Sequence, residues 1–139
     1  MELLLVEDNP GDVRLTREAL KEGQVLVNLN VAVDGVEAID FLRHLGKFKD
    51  APRPDLILLD LNLPRKNGRE VLAEIKTDPN LLRIPVVVMT TSKARQDVEK
   101  AYALNANCYI AKPIGLDDFI GIVHSIEDFW LIRASLPAN

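Results

Sequence analysis

Five short apolar runs mark the chain, at residues 3–6, 25–33, 56–59, 84–89 and 108–111. Stretches whose apolar positions recur at helical spacing fill the gaps and the tail, at roughly 11–22, 36–45, 67–77, 93–104 and 116–132. Runs one, three and four (LLLV, LILL, IPVVVM) are continuously apolar, the pattern of parallel strands covered on both faces. Run two alternates, with Val25, Val27, Leu29, Val31 and Val33 on one side and Leu26, Asn28, Asn30 and Ala32 on the other, which suits an edge strand. Gly23 and Gly46 fall where helix C′ residues belong, and Pro79 follows the third helix. Strand and helix alternating through short loops imply right-handed crossovers and an α/β fold, a single five-stranded parallel sheet with five helices on its two faces. The order 2-1-3-4-5 puts run two at an edge and brings the ends of runs one and three together at a switch point, where such sheets hold their chemistry.

At 139 residues the chain suits one domain, residues 1–132, followed by a short tail, 133–139, that leaves no room for an output or DNA-binding module. Net charge −4 argues against a nucleic-acid surface. No window is long and apolar enough to span a membrane, and MELLLVED passes from apolar residues straight into acids, as a strand does and a signal peptide does not. Cys108 is the single cysteine and lies in an apolar run, so a buried, space-filling thiol in a reducing cytoplasm is the expectation.

Unusual polar residues stand at the strand ends: Glu7–Asp8 after run one, Asp60 after run three, Thr90 at the end of run four and Lys112–Pro113 after run five. In the order above, Glu7, Asp8 and Asp60 converge on one crevice. Two unit charges ~4 Å apart repel by roughly 4 kcal/mol at an effective dielectric of about 20, so such a cluster needs a cation or a proton. A set of carboxylates suits a hard divalent ion, and Mg²⁺ prefers one or two of them with waters and phosphate oxygens. Lys112 can balance these acids and grip a phosphoryl group as a point charge. Thr90 offers a hydroxyl at the same level, although it could equally cap the fourth helix, as could Ser92. Asp12 reads as a solvated acid near the start of the first helix.

In this combination and spacing, the chain resembles the receiver domain of two-component response regulators over about residues 2–132. The elements are the acidic pair Glu7–Asp8, the Asp60 segment with Pro64 and Gly68, Thr90 thirty positions after Asp60, and Lys112–Pro113 fifty-two positions after it. The resemblance implies a flavodoxin-like receiver fold in which Asp60 accepts a phosphoryl group from a phosphohistidine of a sensor histidine kinase. It implies Mg²⁺ held by Asp8, Asp60 and the Asn62 backbone carbonyl, with Glu7 acting through water. Thr90 and Lys112 would bind the phosphoryl oxygens, Tyr109 would be the aromatic switch residue, and the Lys112–Pro113 bond would be cis. Tyr109 is also readable as an ordinary packed strand aromatic. The implied role is that of a signalling phosphoacceptor and not of an enzyme with a separate substrate. Phosphoryl transfer needs positioning and charge neutralisation more than covalent help, which a metal and a lysine supply.

Departures from the family pattern include Thr91 where a smaller residue is usual, and Asn62 and Ser92 overlooking the phosphoryl position. The connection RHLGKFKDAPRP, 43–54, is longer and more basic than most. With the VEDNPGD opening and the TTS after run four, it resembles regulators paired with bacterial phytochrome kinases. An aspartate-nucleophile phosphatase on a similar sheet is the alternative, although that chemistry wants an acid where Asn62 stands. On the last helix Phe119, Val123, Ile126 and Trp130 share one stripe, yet Phe129, Trp130, Leu131 and Ile132 are consecutive and span most of the circumference. Phe119, Phe129 and Trp130 are therefore the expected interface residues for homodimerisation or partner docking. The fourth helix, KARQDVEKAYAL, is polar, with Ala94, Val98 and Ala101 as small anchors, and is expected to be weakly held.

Overall fold

A computed structural model describes residues 1–22, 26–90, 99, 102–112, 116–126 and 128–130. The elements run β1 (Glu2–Val6), α1 (Pro10–Lys21), β2 (Asn28–Ala32), α2 (Gly35–Leu42), a 3₁₀ turn (Gly46–Phe48), β3 (Leu56–Leu59), α3 (Gly68–Thr77), β4 (Val86–Thr90), β5 (Cys108–Ala111) and α4 (Leu116–Ile126). All strand pairs are parallel and the order is β2-β1-β3-β4-β5, as the run pattern implies. Of the expected fourth helix, Glu99, Tyr102 and Ala103 are helical, Leu104 is in a turn, and the other residues, Ala94, Val98 and Ala101 among them, fall outside the described residues.

The missing alternation in the central strands has its physical counterpart in two cores. Leu4, Val6, Ile57, Leu59, Val86 and Val88 bury one face of the sheet against α2 and α3 residues such as Phe41, Val71, Leu72 and Ile75. Leu3, Leu5, Leu56, Leu58, Val87 and Met89 bury the other against Ala19, Leu20, Phe119, Val123 and Ile126 of α1 and α4. Every residue of β3 and β4 is buried, whereas β2 and β5 at the edges are half-exposed. The polar side of β2 is used: Asn28 and Asn30 each donate a side-chain N–H to the Glu2 carboxylate on β1, at 2.9 and 3.1 Å.

Asn and Asp caps start the helices that border the crevice. Asn9, Asp34 and Asn67 turn their side-chain oxygens onto the first free N–H groups of α1, α2 and α3. The end of α2 departs from the expected 36–45. The helix closes at Leu42, and the left-handed residue that ends it is His44, at φ 59°, in place of Gly46. The N–H of Leu45 reaches Asp40 O at 2.9 Å and that of His44 reaches Phe41 O at 3.3 Å, a Schellman closure. Gly46, at φ 58°, serves the following 3₁₀ turn. Leu45 had extended the apolar spacing by one turn, but the chain leaves the helix before it and its side chain is exposed. Gly23 lies outside the described residues.

Candidate functional site

The parallel ladders continue one residue beyond the strands and so fix where the polar residues stand. Glu7 N–H donates to Ala32 O at 2.9 Å, Asp60 N–H to Val6 O at 3.1 Å, and Lys112 N–H to Thr90 O at 2.7 Å. Glu7, Asp60, Thr90 and Lys112, contributed by four strands, are thereby all buried at one end of the sheet. One carboxylate oxygen each from Glu7, Asp8 and Asp60 lie within 4.8 Å of one another, with Asp8 on the solvent side. This all-oxygen, acid-rich set fits a hard divalent cation.

Lys112 reaches into the crevice. Its Nζ donates to Glu7 Oε1, to Asp12 Oδ2 at 2.9 Å and to Asp60 Oδ2 at 3.1 Å. The other oxygen of Asp60 accepts the N–H of Asn62 at 3.0 Å, so the carboxylate is held at both ends. Burial pushes the Glu7 carboxyl up to about 7, the nearby charge of Asp60 adds to this, and the contacts with Lys112 and the Asn9 N–H work against it. Burial alone would lower Lys112, but its bonds to Glu7 and Asp12 and the charges of Asp60 and Glu7 raise it above the ordinary lysine range. The cluster thus holds one firmly charged cation among acids that are crowded enough to keep a proton or take a metal.

Two glycines set the shape of the loop after Asp60. The N–H of Gly68 closes the loop onto Leu61 O at 3.0 Å. A Cβ at Gly68 would lie 2.3 Å from Asp60 O, and one at Gly35 would lie 1.9 Å from Lys66 O. The start of α3 and the start of α2 therefore both press against loop backbone. Arg65 takes φ 66° within this loop and its guanidinium bonds Asp34 Oδ2 at 3.1 Å, tying the loop to the α2 cap.

The structure brings Glu7, Asp8, Asp60 and Lys112 together as expected, and joins Thr90 to them through Asn62, whose side-chain N–H donates to Thr90 Oγ1 at 3.2 Å. Tyr109 sits on β5, partly buried against the core, and its backbone N–H donates to the Tyr102 hydroxyl at 3.2 Å. Asp12, expected to be a solvated acid, also meets Lys112; its place in the first turn of α1 does not by itself signal that contact. Pro113, and with it the expected cis bond, lies outside the described residues, as do Thr91, Ser92, Leu131 and Ile132. Phe119 does not suit an interface: it is 4% exposed and packs in the α1–α4 core. Its place in the α4 stripe points it at the sheet. Phe129 is 56% exposed and meets Trp130 edge to face at 5.3 Å. The two rings border an apolar groove of about 290 Å³ with Cys108, Ile110, Ile122 and Ile126.

Comparison with known proteins agrees with this geometry. The profile of the response regulator receiver domain matches residues 3–124. Response regulator Rcp1 of Synechocystis sp. is 52% identical over 136 residues, which cover 98% of this chain and 92% of that protein. The crystal structure of the Mn²⁺-bound form of Rcp1 matches at a TM-score of 0.95 and 51% identity, covering 99% of each chain. That of the phosphorylated cyanobacterial phytochrome response regulator RcpA matches at 0.96 and 52% identity, covering 99% of this chain and 98% of the other.

Proposed function

The chain belongs to the response regulator receiver domain family, and from that premise we propose that Asp60 is its phosphoacceptor, charged by the phosphohistidine of a sensor histidine kinase in phytochrome signalling. The observation that carries this reading is the convergence of Glu7, Asp8, Asp60 and Lys112 on one crevice. Likeness to RcpA, a cyanobacterial phytochrome response regulator, supports the kind of kinase.

In the transfer step an oxygen of the ionised Asp60 forms a bond to phosphorus, while the phosphorus–nitrogen bond breaks and its electron pair goes to the departing imidazole. The Asn62 N–H and Lys112 hold the two Asp60 oxygens, so the attacking group is oriented before the donor arrives. Lys112 also offers positive charge to the transferring phosphoryl oxygens. Mg²⁺ would be held by Asp8, Asp60 and the Asn62 carbonyl, with Glu7 behind a water. When bound, it offsets charge on the phosphoryl group.

The Thr90 hydroxyl, now paired with the Asn62 amide, gains a stronger acceptor once Asp60 carries a dianion. Tyr109 on the neighbouring strand then follows Thr90 inward, and this movement is the signal. The protein acts as a switch and not as an enzyme with a separate substrate, it works in the cytoplasm, and neither nucleic acid nor membrane is its partner. Among the described residues no helix is long and apolar enough to cross a membrane. Phe129 and Trp130, beside the apolar groove, support a homodimer through the C-terminal helix region. The phosphatase alternative has little to stand on, since Asn62 is engaged with Thr90 where a second acid would be needed.

The test is phosphotransfer. A phytochrome-type kinase labelled on its histidine should pass the label to the wild-type protein in Mg²⁺ and not to Asp60→Asn. Label that stays on the kinase would contradict the phytochrome coupling, and label on Asp60→Asn would contradict the acceptor.

A further inference from the structure

An ammonium has three N–H donors, and three carboxylates take those of Lys112: Glu7, Asp12 at 2.9 Å and Asp60 at 3.1 Å. If Lys112 is to grip a phosphoryl oxygen, one of these bonds must be given up. The three are unequal. The side chains of Glu7 and Asp60 are 3% and 8% exposed, whereas that of Asp12 is 25% exposed. Asp12 is the partner that water can take over at least cost.

Asp12 also comes from a different part of the fold. It stands in the first turn of α1, where Asn9 Oδ1 accepts the N–H groups of Gly11 and Asp12 at 2.9 and 3.2 Å. An acid there is favoured by the helix dipole for structural reasons alone. Its carboxylate, however, lies on the very cation that the phosphoryl group has to engage, and raises the acids gathered about the crevice to four: Glu7, Asp8, Asp12 and Asp60.

We propose that Asp12 is a positioning residue that acts through Lys112 as a charge brake on phosphoryl entry: it competes with the phosphoryl oxygens for Nζ and sets one more negative charge against the incoming donor. The proposal rests on Asp60 being the acceptor. The brake weighs most on small, highly charged donors, which bring nothing but the phosphoryl group to offset it. A kinase that docks on the protein has binding energy from elsewhere to overcome it.

The experiment compares two small donors of different charge in Mg²⁺, acetyl phosphate as a dianion and phosphoramidate with one net negative charge. Phosphorylation is followed by intact mass. Asp12→Asn should raise the second-order rate constant about fivefold with acetyl phosphate and about twofold with phosphoramidate, because removing one charge acts in proportion to the charge of the donor. Both gains should shrink in about 0.5 M KCl, where the screening length falls to about 4 Å. Asp12→Glu should keep the wild-type ratio of the two donors, and Asp12→Ser, which retains a helix-start residue, should repeat the Asn result if Asn alters folding. Equal gains with both donors, a gain indifferent to salt, or no gain at all would overturn the brake while leaving Asp60 as the acceptor. A wild-type protein labelled by neither donor would overturn the acceptor assignment and the brake with it.

Discussion

Gly68→Ala sets helix propensity against close packing. Alanine is better than glycine by about 1 kcal/mol in a helix interior, and at Gly68, the first residue of α3, propensity alone predicts at most a part of that gain. The structure predicts the reverse. The new Cβ would lie 2.3 Å from Asp60 O and 2.4 Å from Leu61 Cα, both of them backbone atoms that no rotamer change can move. Ordinary contact needs a further ~1 Å, so either α3 backs away from the loop or the Asp60–Leu61 backbone gives. Overpacking of this kind costs typically about 1–3 kcal/mol, and the Gly68 N–H to Leu61 O bond that closes the loop is worth about 1 kcal/mol. The balance is a loss of about 2 kcal/mol, or a fall of roughly 6 °C in Tm for a domain of this size. Calorimetric melts of the two proteins with excess EDTA read this directly. Because the displaced backbone carries the acceptor, phosphorylation by acetyl phosphate should slow as well. A Gly68→Ala protein as stable as the wild type, or more so, would refute the close-approach argument.

Other consequences are simpler to state. Burial pushes the Glu7 carboxyl up to about 7 from an ordinary 4.5, so between those values the folded protein keeps a proton that the unfolded chain has already lost. That stabilisation is complete below about pH 4.5 and is lost as pH rises through 7; in EDTA, the unfolding free energy from urea titrations should decline across this window by up to roughly 3 kcal/mol more than that of Glu7→Gln, and parallel profiles would contradict the upward shift of Glu7. His44→Gly should raise stability by about 1 kcal/mol, since φ 59° favours glycine; a lower Tm would show that the His44 side chain supplies something more. Phe129→Ala combined with Trp130→Ala should shift sedimentation toward monomer, and an unchanged profile would remove the homodimer.

The central strands were legible because burial on both faces abolishes alternation: LLLV, LILL and VVVM each became a strand whose successive residues feed opposite cores. The half-polar second run could be placed at an edge for the same reason, and strand order then put Glu7, Asp8 and Asp60 side by side. Lys112 and Thr90 were legible only as residues at strand ends. What local pattern cannot carry is contact across the chain. The bond from Lys112 to Asp12 joins residues a hundred positions apart, so nothing near Asp12 marks it as more than a helix-start acid. The same is true of Gly35, whose need for a bare Cα arises from Lys66 O on a different loop. Phe119 belongs to the core and not to an interface because the apolar stripe of α4 faces the sheet, whereas Phe129, beyond the end of that helix, is left to solvent.

The central claim is that Asp60, set among Glu7, Asp8 and Lys112, is the acceptor of the phosphoryl group. Intact mass after incubation with Mg²⁺ and acetyl phosphate tests it most directly. The account predicts a single phosphoryl addition to the wild type, lost on adding EDTA before the donor and absent from Asp60→Asn. Equal labelling of the wild type and Asp60→Asn, or labelling that does not depend on metal, would contradict it.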